Sequence, residues 1–134
     1  MAVITDISLW ELIKHLKLWL TNLRRAGNER KRESVKALRA VIIAARHTKT
    51  YVRLLNDTGK QNHGQEAKLS EMWTQLGFEL QDLGLSKPAK RCDITGRYWA
   101  DPGQFESDFL EKADVGLERM EQLARFMVAE IERR

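Results

Sequence analysis

The sequence predicts an all-α protein: an antiparallel bundle of four long helices, with one short helix at about residues 87–99 before the last. Three observations support this fold class. Apolar residues recur at alternating steps of three and four, which is the repeat of one helix face. The chain contains only two prolines and eight glycines, so long helices are not interrupted. No segment shows the two-residue alternation of a strand.

The length of 134 residues predicts one domain, residues 1–134, because chains usually divide only when they are much longer. Cys92 is the only cysteine, so no disulfide can form within the chain. Residues 1–10 lack the basic start of a signal peptide. The longest apolar run, residues 41–45, is far shorter than the roughly 20 residues of a membrane span. We therefore expect a cytoplasmic protein without a membrane segment.

The first two helices are predicted on either side of Gly27. Ser8 and Glu11 have the spacing of a capping box at the start of the first helix. We expect Gly27 to end that helix in a left-handed conformation and Asn28 to cap the second, which runs to the turn at residues 56–59. The apolar face of the first helix comprises Leu9, Leu12, Ile13, Leu16, Trp19, Leu20 and Leu23. That of the second comprises Ala37, Val41, Ala44, Thr48, Tyr51 and Leu55, widened by Leu38, Ile42, Ala45 and Val52.

The third helix is predicted at about residues 65–83, after a polar loop at residues 58–65. Gly84 is expected to end it. Gly77, inside the helix, is expected to mark a close crossing with another helix, since glycine is unfavourable there by about 1 kcal/mol. Its buried face comprises Leu69, Met72, Trp73, Leu76, Leu80 and Leu83.

Residues 85–103 allow two interpretations. Ser86 as an N-cap and Pro88 in the first turn predict a short helix, with Ala89, Cys92, Gly96 and Trp99 on one face. Residues 94–96 weaken that pattern, and a loop is the alternative. After a break at residues 101–103, the last helix is predicted from about 103 to 133. Its apolar face comprises Phe105, Phe109, Leu110, Ala113, Leu117, Met120, Leu123, Ala124, Met127, Val128 and Ile131.

Positive charge is concentrated in one part of the chain. The net charge is +4, yet residues 24–53 carry ten Arg or Lys and two Glu, whereas residues 101–134 carry nine acidic and five basic residues. A basic stripe follows one side of the second helix over about 31 Å. It comprises Arg32, Lys36, Arg39, Arg46 and Arg53, with Ile43 and Thr50 between them. Such a stripe could bind the phosphates of a nucleic acid, or it could be a solvated face that pairs with the acidic last helix.

Aromatic residues provide a second candidate site. Tyr98 and Trp99 precede the turn at residues 101–103, and Trp73 lies in the third helix. These rings could line a pocket for a small ligand, or they could anchor the turn against the core. Cys92 follows Arg91, and positive neighbours can lower a thiol pKa. A buried small residue is the favoured interpretation of Cys92.

Catalytic and metal-binding motifs known from helical bundles are missing. Di-iron bundles need two Glu-x-x-His motifs, whereas Glu11 and His15 are spaced by four, and His63 and Glu66 form one reversed pair in the predicted loop. No arginine precedes a histidine at the spacing of bundle ribonucleases, and the acidic pairs have the wrong order for a magnesium pyrophosphohydrolase. We therefore predict no catalytic residue, metal site or cofactor.

Three hypotheses about function follow. The first is a non-enzymatic bundle that binds another protein, or itself as a homodimer, because two helices have wide apolar faces and no catalytic motif occurs. The second is a nucleic-acid accessory protein that uses the basic stripe. The third is a small-ligand binder or enzyme with an aromatic pocket near Trp73, Tyr98 and Trp99.

Overall fold

A computed structural model describes residues 19–23, 25, 27–104 and 109–133, with the backbone alone for residues 104 and 109–116. Every regular element within these ranges is helical, so the predicted all-α class is confirmed. The helices are α1, of which residues 19–23 are described, α2 at Asn28–Thr58, α3 at His63–Asp82, α4 at Ser86–Ala100 and α5 at Phe109–Glu132. Pro102–Gln104 forms a short 3₁₀ turn before α5.

Neighbouring helices run antiparallel, as the bundle prediction requires. Along α2 and α3, the Trp73 indole donates to Thr48 Oγ1, whereas Tyr51, further along α2, contacts Glu66 at the start of α3. Contacts of α2 with α5 follow the same reversed order, because Arg39 contacts Glu132 and Arg46, further along α2, contacts Glu121. The packed pairs are α2 with α3, α2 with α5, and α3 with α4.

The segment α1 is attached through Trp19, whose indole N–H donates to the Leu83 carbonyl at 2.8 Å. Leu20 and Leu23 are buried, as predicted. Two predictions at the next junction are wrong. Gly27 is extended, with φ −69° and ψ 166°, and it is the N-cap of α2, while Asn28 is already helical. An N-cap residue has an extended backbone, and glycine is among the residues that commonly occupy this position. The proposed capping box at residues 8–11 lies outside the described residues.

The turn between α2 and α3 is shorter than predicted. Gly59 takes a left-handed conformation (φ 68°), and its N–H donates to the Leu55 carbonyl, which ends α2. Asn62 then caps α3, because its Oδ1 accepts from the Gln65 N–H at 3.0 Å. The predicted loop at residues 58–65 and the helix start at 65 are therefore wrong, since α3 begins at His63.

The turn between α3 and α4 is a Schellman motif centred on Gly84. Gly84 has φ 84°, its N–H donates to the Gln81 carbonyl, and the Leu85 N–H donates to the Leu80 carbonyl. Leu85 is also the N-cap of α4, so the prediction that Ser86 caps this helix is wrong. The loop alternative for residues 85–103 is wrong as well, because α4 continues through residues 94–96.

The crossing of α3 and α4 is close because glycine lies on both sides. A Cβ on Gly77 would lie 3.2 Å from the Ala89 carbonyl oxygen, which confirms the close crossing predicted at this position. A Cβ on Gly96 would overlap Thr74 Oγ1 and lie 3.2 Å from the Ser70 carbonyl oxygen. The Ser70 hydroxyl donates to the Gly96 carbonyl at 2.8 Å, so the polar groups at this contact are also paired.

The core lies between α2, α3, α4 and α5. It comprises most of the apolar faces predicted for α2, α3 and α4, together with Leu117, Met120, Leu123, Ala124 and Met127 of α5. The last helix was predicted to begin near residue 103, but residues 103 and 104 belong to the 3₁₀ turn. Phe105 and the side chains of Phe109, Leu110 and Ala113 lie outside what the structure describes. No helix in the described ranges has the length and hydrophobicity needed to cross a bilayer.

Candidate functional site: the exposed face of α2

All five cations of the basic stripe are exposed to solvent on the side of α2 that α3 and α5 leave uncovered. Together with Ile43 and Thr50 they follow steps of four and three residues, so the regular helix from Asn28 to Thr58 places them along one side. The cations are Arg32, Lys36, Arg39, Arg46 and Arg53. The stripe is therefore accessible to a partner along its full length.

Two of these cations also contact the acidic last helix, as the alternative interpretation of the stripe anticipated. Arg39 pairs with Glu132 at 3.1 Å, and Arg46 contacts Glu121 at 3.4 Å. Both arginines stay about 60% exposed, so each pair is screened by solvent and contributes little to stability. Contact with α5 thus orients two stripe cations without covering them.

Glu121 is the buried acidic centre of the α2–α5 contact. Its side chain is 9% exposed, and besides Arg46 it contacts Lys49 at 3.5 Å and Arg125 at 3.6 Å. Lys49 also donates to Glu118. That hydrogen bond raises the pKa of Lys49 and lowers the pKa of Glu118, because it favours the charged form of each group. Glu118 and Glu121 therefore join α5 to the basic side chains of α2.

The other three cations of the stripe, Arg32, Lys36 and Arg53, form no ion pair or side-chain hydrogen bond within the described ranges. They lie towards the two ends of α2, whereas the ion-paired Arg39 and Arg46 lie nearer its middle. Their charges are not neutralised by contacts with the described part of the bundle. They are the cations that an incoming anionic group would meet first.

Two large apolar side chains share this face with the cations. Ile43 is 61% exposed and Leu54 is 55% exposed. Ile43 lies between Arg39 and Arg46, and Leu54 follows Thr50 by four residues. Ile43 is visible in the sequence as an interruption of the stripe, whereas Leu54 was missed. The spacing of four from Thr50 is the signal that could have identified Leu54.

A cleft of about 380 Å³ opens on the same side, between the last turns of α2 and the turn that leads to α3. Its apolar lining includes Leu54 and the ring of Tyr51, and Lys60 adds a cation at the turn. The whole lining contains no acidic side chain and comprises His47, Thr50, Tyr51, Leu54, Thr58, Lys60, Asn62 and Gln65.

A hydrogen-bonded network around Tyr51 joins two of the elements that line the cleft. The Tyr51 hydroxyl donates to Glu66 Oε2 at 2.8 Å and accepts from the Asn62 N–H at 2.9 Å. Glu66 is 3% exposed and also contacts His63 Nδ1 at 3.4 Å. Burial, chiefly, raises the pKa of Tyr51. The His63–Glu66 pair was expected at the loop before α3 and Glu66 was not among the predicted buried residues, so this buried carboxylate was not anticipated.

The three aromatic residues of the pocket hypothesis are buried in the core. Trp73 is fully buried, with its indole hydrogen-bonded to Thr48 Oγ1 at 2.8 Å. Trp99 packs edge-to-face against Tyr98, at a centroid distance of 4.8 Å, and against Tyr51 at 5.4 Å. None of Trp73, Tyr98 and Trp99 lines the cleft. This packing favours an anchoring role over contact with a ligand.

Cys92 is also a core residue. It is fully buried in α4 at the crossing with α3. Burial raises its pKa to about 12, so the thiol stays protonated at neutral pH despite the neighbouring Arg91. Cys92 therefore lacks the thiolate character of a nucleophile. In the described part of the chain, His, Cys, Asp and Glu also form no group of three that could hold a metal ion.

Comparison with known proteins adds no functional information. No protein-family model, no curated protein and no solved structure matches this chain.

Proposed function

We propose that this chain is a non-enzymatic helical-bundle protein that acts by binding another protein, and that the exposed face of α2 is its binding surface. The observation that carries the proposal is that exposed Ile43 lies within the row of the five cations and that exposed Leu54 lies next to Thr50, one turn further along α2. Single exposed apolar residues are common on protein surfaces and need no explanation. Two of them on the same exposed side of a helix as several arginines have the composition of a protein interface, where arginine is enriched.

A protein partner fits this face better than a nucleic acid does. Glu118 and Glu132 of α5 stand beside the stripe with about half of each side chain exposed. These carboxylates would repel a duplex whose phosphates approached the whole face, because duplex binding depends on neutralising many phosphates at once. A polypeptide can place acidic groups opposite the cations and apolar groups opposite Ile43 and Leu54.

Self-association through two copies of this face is disfavoured. A two-fold contact places the same surface on both partners, so the arginines of one copy would face those of the other. Like charges at an interface cost several kcal/mol. The α2 face therefore fits a different protein better than a second copy of this chain. A homodimer through another surface and a cytoplasmic location remain predictions, and size-exclusion chromatography with light scattering tests the first of them.

The proposal is tested by capture from a nuclease-treated lysate of the source organism. The variant Ile43→Ser/Leu54→Ser removes the apolar part of the face. Phe78→Ser, at a 68% exposed residue of α3, is the matched control. We expect the wild-type chain and the control to capture the same protein partner in equal amounts. The double variant should capture at least about fivefold less of it. If every captured protein binds all three chains equally, the α2 face is not the binding surface.

Nucleic-acid binding is the second candidate, favoured by Arg32, Lys36 and Arg53, which are exposed and form no ion pair with the described residues. Its test is the affinity for duplex DNA and RNA at two salt concentrations, because binding that depends on phosphates weakens steeply as salt rises. Arg32→Glu/Lys36→Glu should then abolish binding. Lys68→Glu/Lys90→Glu, at exposed lysines of α3 and α4, should not. Affinity independent of salt, or an equal loss in both variants, would exclude the stripe as a nucleic-acid site.

A further inference from the structure

The cleft at the end of α2 and the basic stripe form one continuous surface. Thr50 belongs to the stripe and also lines the cleft, and Leu54 borders the same cleft. From Ile43 to Leu54 the helix rises about 16 Å, and the whole stripe spans about 31 Å. A partner that lies along the cations therefore reaches the cleft without a change of direction.

The spacing of this surface matches a helix. Its members repeat every three or four residues, which corresponds to about 5 Å along α2. A second helix packed alongside repeats its own side chains at the same interval, so the two rows stay in register over several turns. A strand rises about 3.3 Å per residue and presents one face every second residue, so its repeat does not match. A partner helix of about 20 residues is long enough for the full stripe.

The charges of the surface define the chemistry of that helix. The stripe carries five cations, Lys60 adds another at the cleft, and the cleft lining contains no acidic side chain. Acidic residues on the partner would be attracted to these positions, most strongly at Arg32, Lys36 and Arg53, which pair with no acid in the described part of the bundle. Complementary charge of this kind also raises the rate of association.

The cleft has room for one large side chain, which would contact Leu54 and the Tyr51 ring on its apolar side. Its volume of about 380 Å³ is at the small end of the range for ligand sites, about 300 to 1,000 Å³. Its floor is preformed, because the Tyr51 hydroxyl is bonded to both Glu66 and the Asn62 backbone. A rigid floor requires little ordering when a side chain enters, which favours a strong anchor at this position.

We infer that the partner contributes an acidic amphipathic helix that lies along the basic stripe and inserts one bulky apolar side chain into the cleft between α2 and the α2–α3 turn. This inference rests on the proposed protein-binding function and specifies the partner's chemistry. The cations select and orient the acidic helix, Ile43 packs beneath its middle, and the cleft beside Leu54 receives its apolar anchor.

The test is a selection from a library of random 20-residue peptides against the full chain. We expect the enriched peptides to be net acidic, helical when bound, and to carry a Trp, Phe or Leu towards one end. Thr50→Trp fills the cleft at an exposed residue whose side chain bonds only to the Arg46 carbonyl. It should weaken the enriched peptides about tenfold, as should Leu54→Ser, whereas Phe78→Ser should not. Circular dichroism checks that each variant folds.

Each other outcome overturns the inference. The helix-and-anchor arrangement is rejected if the enriched peptides have no acidic excess, or if no peptide is enriched at all. It is also rejected if the affinity of the peptides is unchanged by both Thr50→Trp and Leu54→Ser. A random pool of single-stranded and duplex nucleic acids is selected in parallel. Enrichment in that pool alone would favour the nucleic-acid candidate. If lysate capture depends on Ile43 and Leu54 while the peptides bind elsewhere, only the inference fails. If neither experiment depends on these two residues, the proposed function fails as well.

Discussion

The contact between α3 and α4 and the contact between α2 and α5 are built in opposite ways. At the first, Gly77 and Gly96 bring the two backbones close together, and the Ser70 hydroxyl is hydrogen-bonded to the Gly96 carbonyl. At the second, apolar side chains pack below a row of ion pairs centred on Glu121. A contact made by backbone leaves little for a partner to recognise. A contact made by long charged side chains leaves their outer parts at the surface, so Arg39 and Arg46 contribute to the candidate binding face as well as to the contact with α5.

The largest expected effect concerns the α3–α4 contact, which should suppress the reactivity of Cys92. Since burial raises its pKa from 9.0 to about 12, the thiolate fraction at pH 8 is about a thousandfold lower than that of an exposed thiol. We expect alkylation by iodoacetamide to occur only when the α3–α4 contact opens, and to accelerate in denaturant. Mass spectrometry over time measures the rate. Labelling of the native chain as fast as a free cysteine would show that this contact is open.

Gly96→Ala should destabilise the α3–α4 contact. The added Cβ would overlap Thr74 Oγ1 and press on the backbone of α3, which lowers the free energy of unfolding by about 1–3 kcal/mol. Alanine's better helix propensity offsets part of this loss. Gly64→Ala in α3 is the control, because a Cβ there meets only Asn62 Oδ1, at 3.4 Å. The free energy of unfolding of the control should rise by up to about 1 kcal/mol, because alanine favours a helix more than glycine does. Urea denaturation distinguishes the two, and equal stability would mean that the crossing is looser than described.

Glu121→Gln should weaken the α2–α5 contact by a smaller amount. The substitution removes a buried carboxylate from three basic groups, and we expect the free energy of unfolding to fall by about 1 kcal/mol. Glu132→Gln removes only the exposed ion pair with Arg39, and it should change the free energy of unfolding by less than about 0.5 kcal/mol. Thermal denaturation of the two variants in the same buffer measures the difference. A larger effect at Glu132 would contradict the central role given to Glu121.

The smallest effect concerns the pH dependence of the Lys49–Glu118 pair, followed through Lys49→Met. Because the pKa of Glu118 is lowered in the folded state, its contribution to folding stability is complete above the ordinary pKa of 4.5. That contribution is lost as pH falls through the folded-state pKa. Because the pKa of Lys49 is raised in the folded state, its contribution to folding stability is complete below the ordinary pKa of 10.5. That contribution is lost as pH rises through the folded-state pKa. The Tm difference between wild type and variant should therefore be widest between these limits. A difference that persists unchanged at both extremes would show that the charges do not stabilise this contact.

Helix type and helix faces were predictable because they depend on local repeats. The buried residues Ala37, Val41 and Ala44 follow from the spacing along α2, and Gly77 indicated a crossing by its presence inside a helix. Exact ends were less predictable. The N-caps at Gly27 and Leu85 have no capping side chain that the sequence could reveal, because tertiary packing decides where the chain turns there.

The candidate site was predictable only in part, for the same reason. The row of cations is a property of one helix, so its spacing was visible in the sequence. The cleft is formed by two elements that are joined where the Tyr51 hydroxyl donates to Glu66 and accepts from the Asn62 N–H, and no local pattern contains these contacts. The buried environment of Glu121 likewise arises only when α5 lies against α2.

The sequence by itself determined that this chain is a bundle of helices and which side of α2 carries positive charge, because both follow from a repeat of three and four residues along a rigid helix. Only the tertiary structure decided which cations the last helix contacts, which apolar side chains stay exposed, and where a cleft opens. Those properties depend on distances between residues far apart in the chain, and such distances are set when the helices pack.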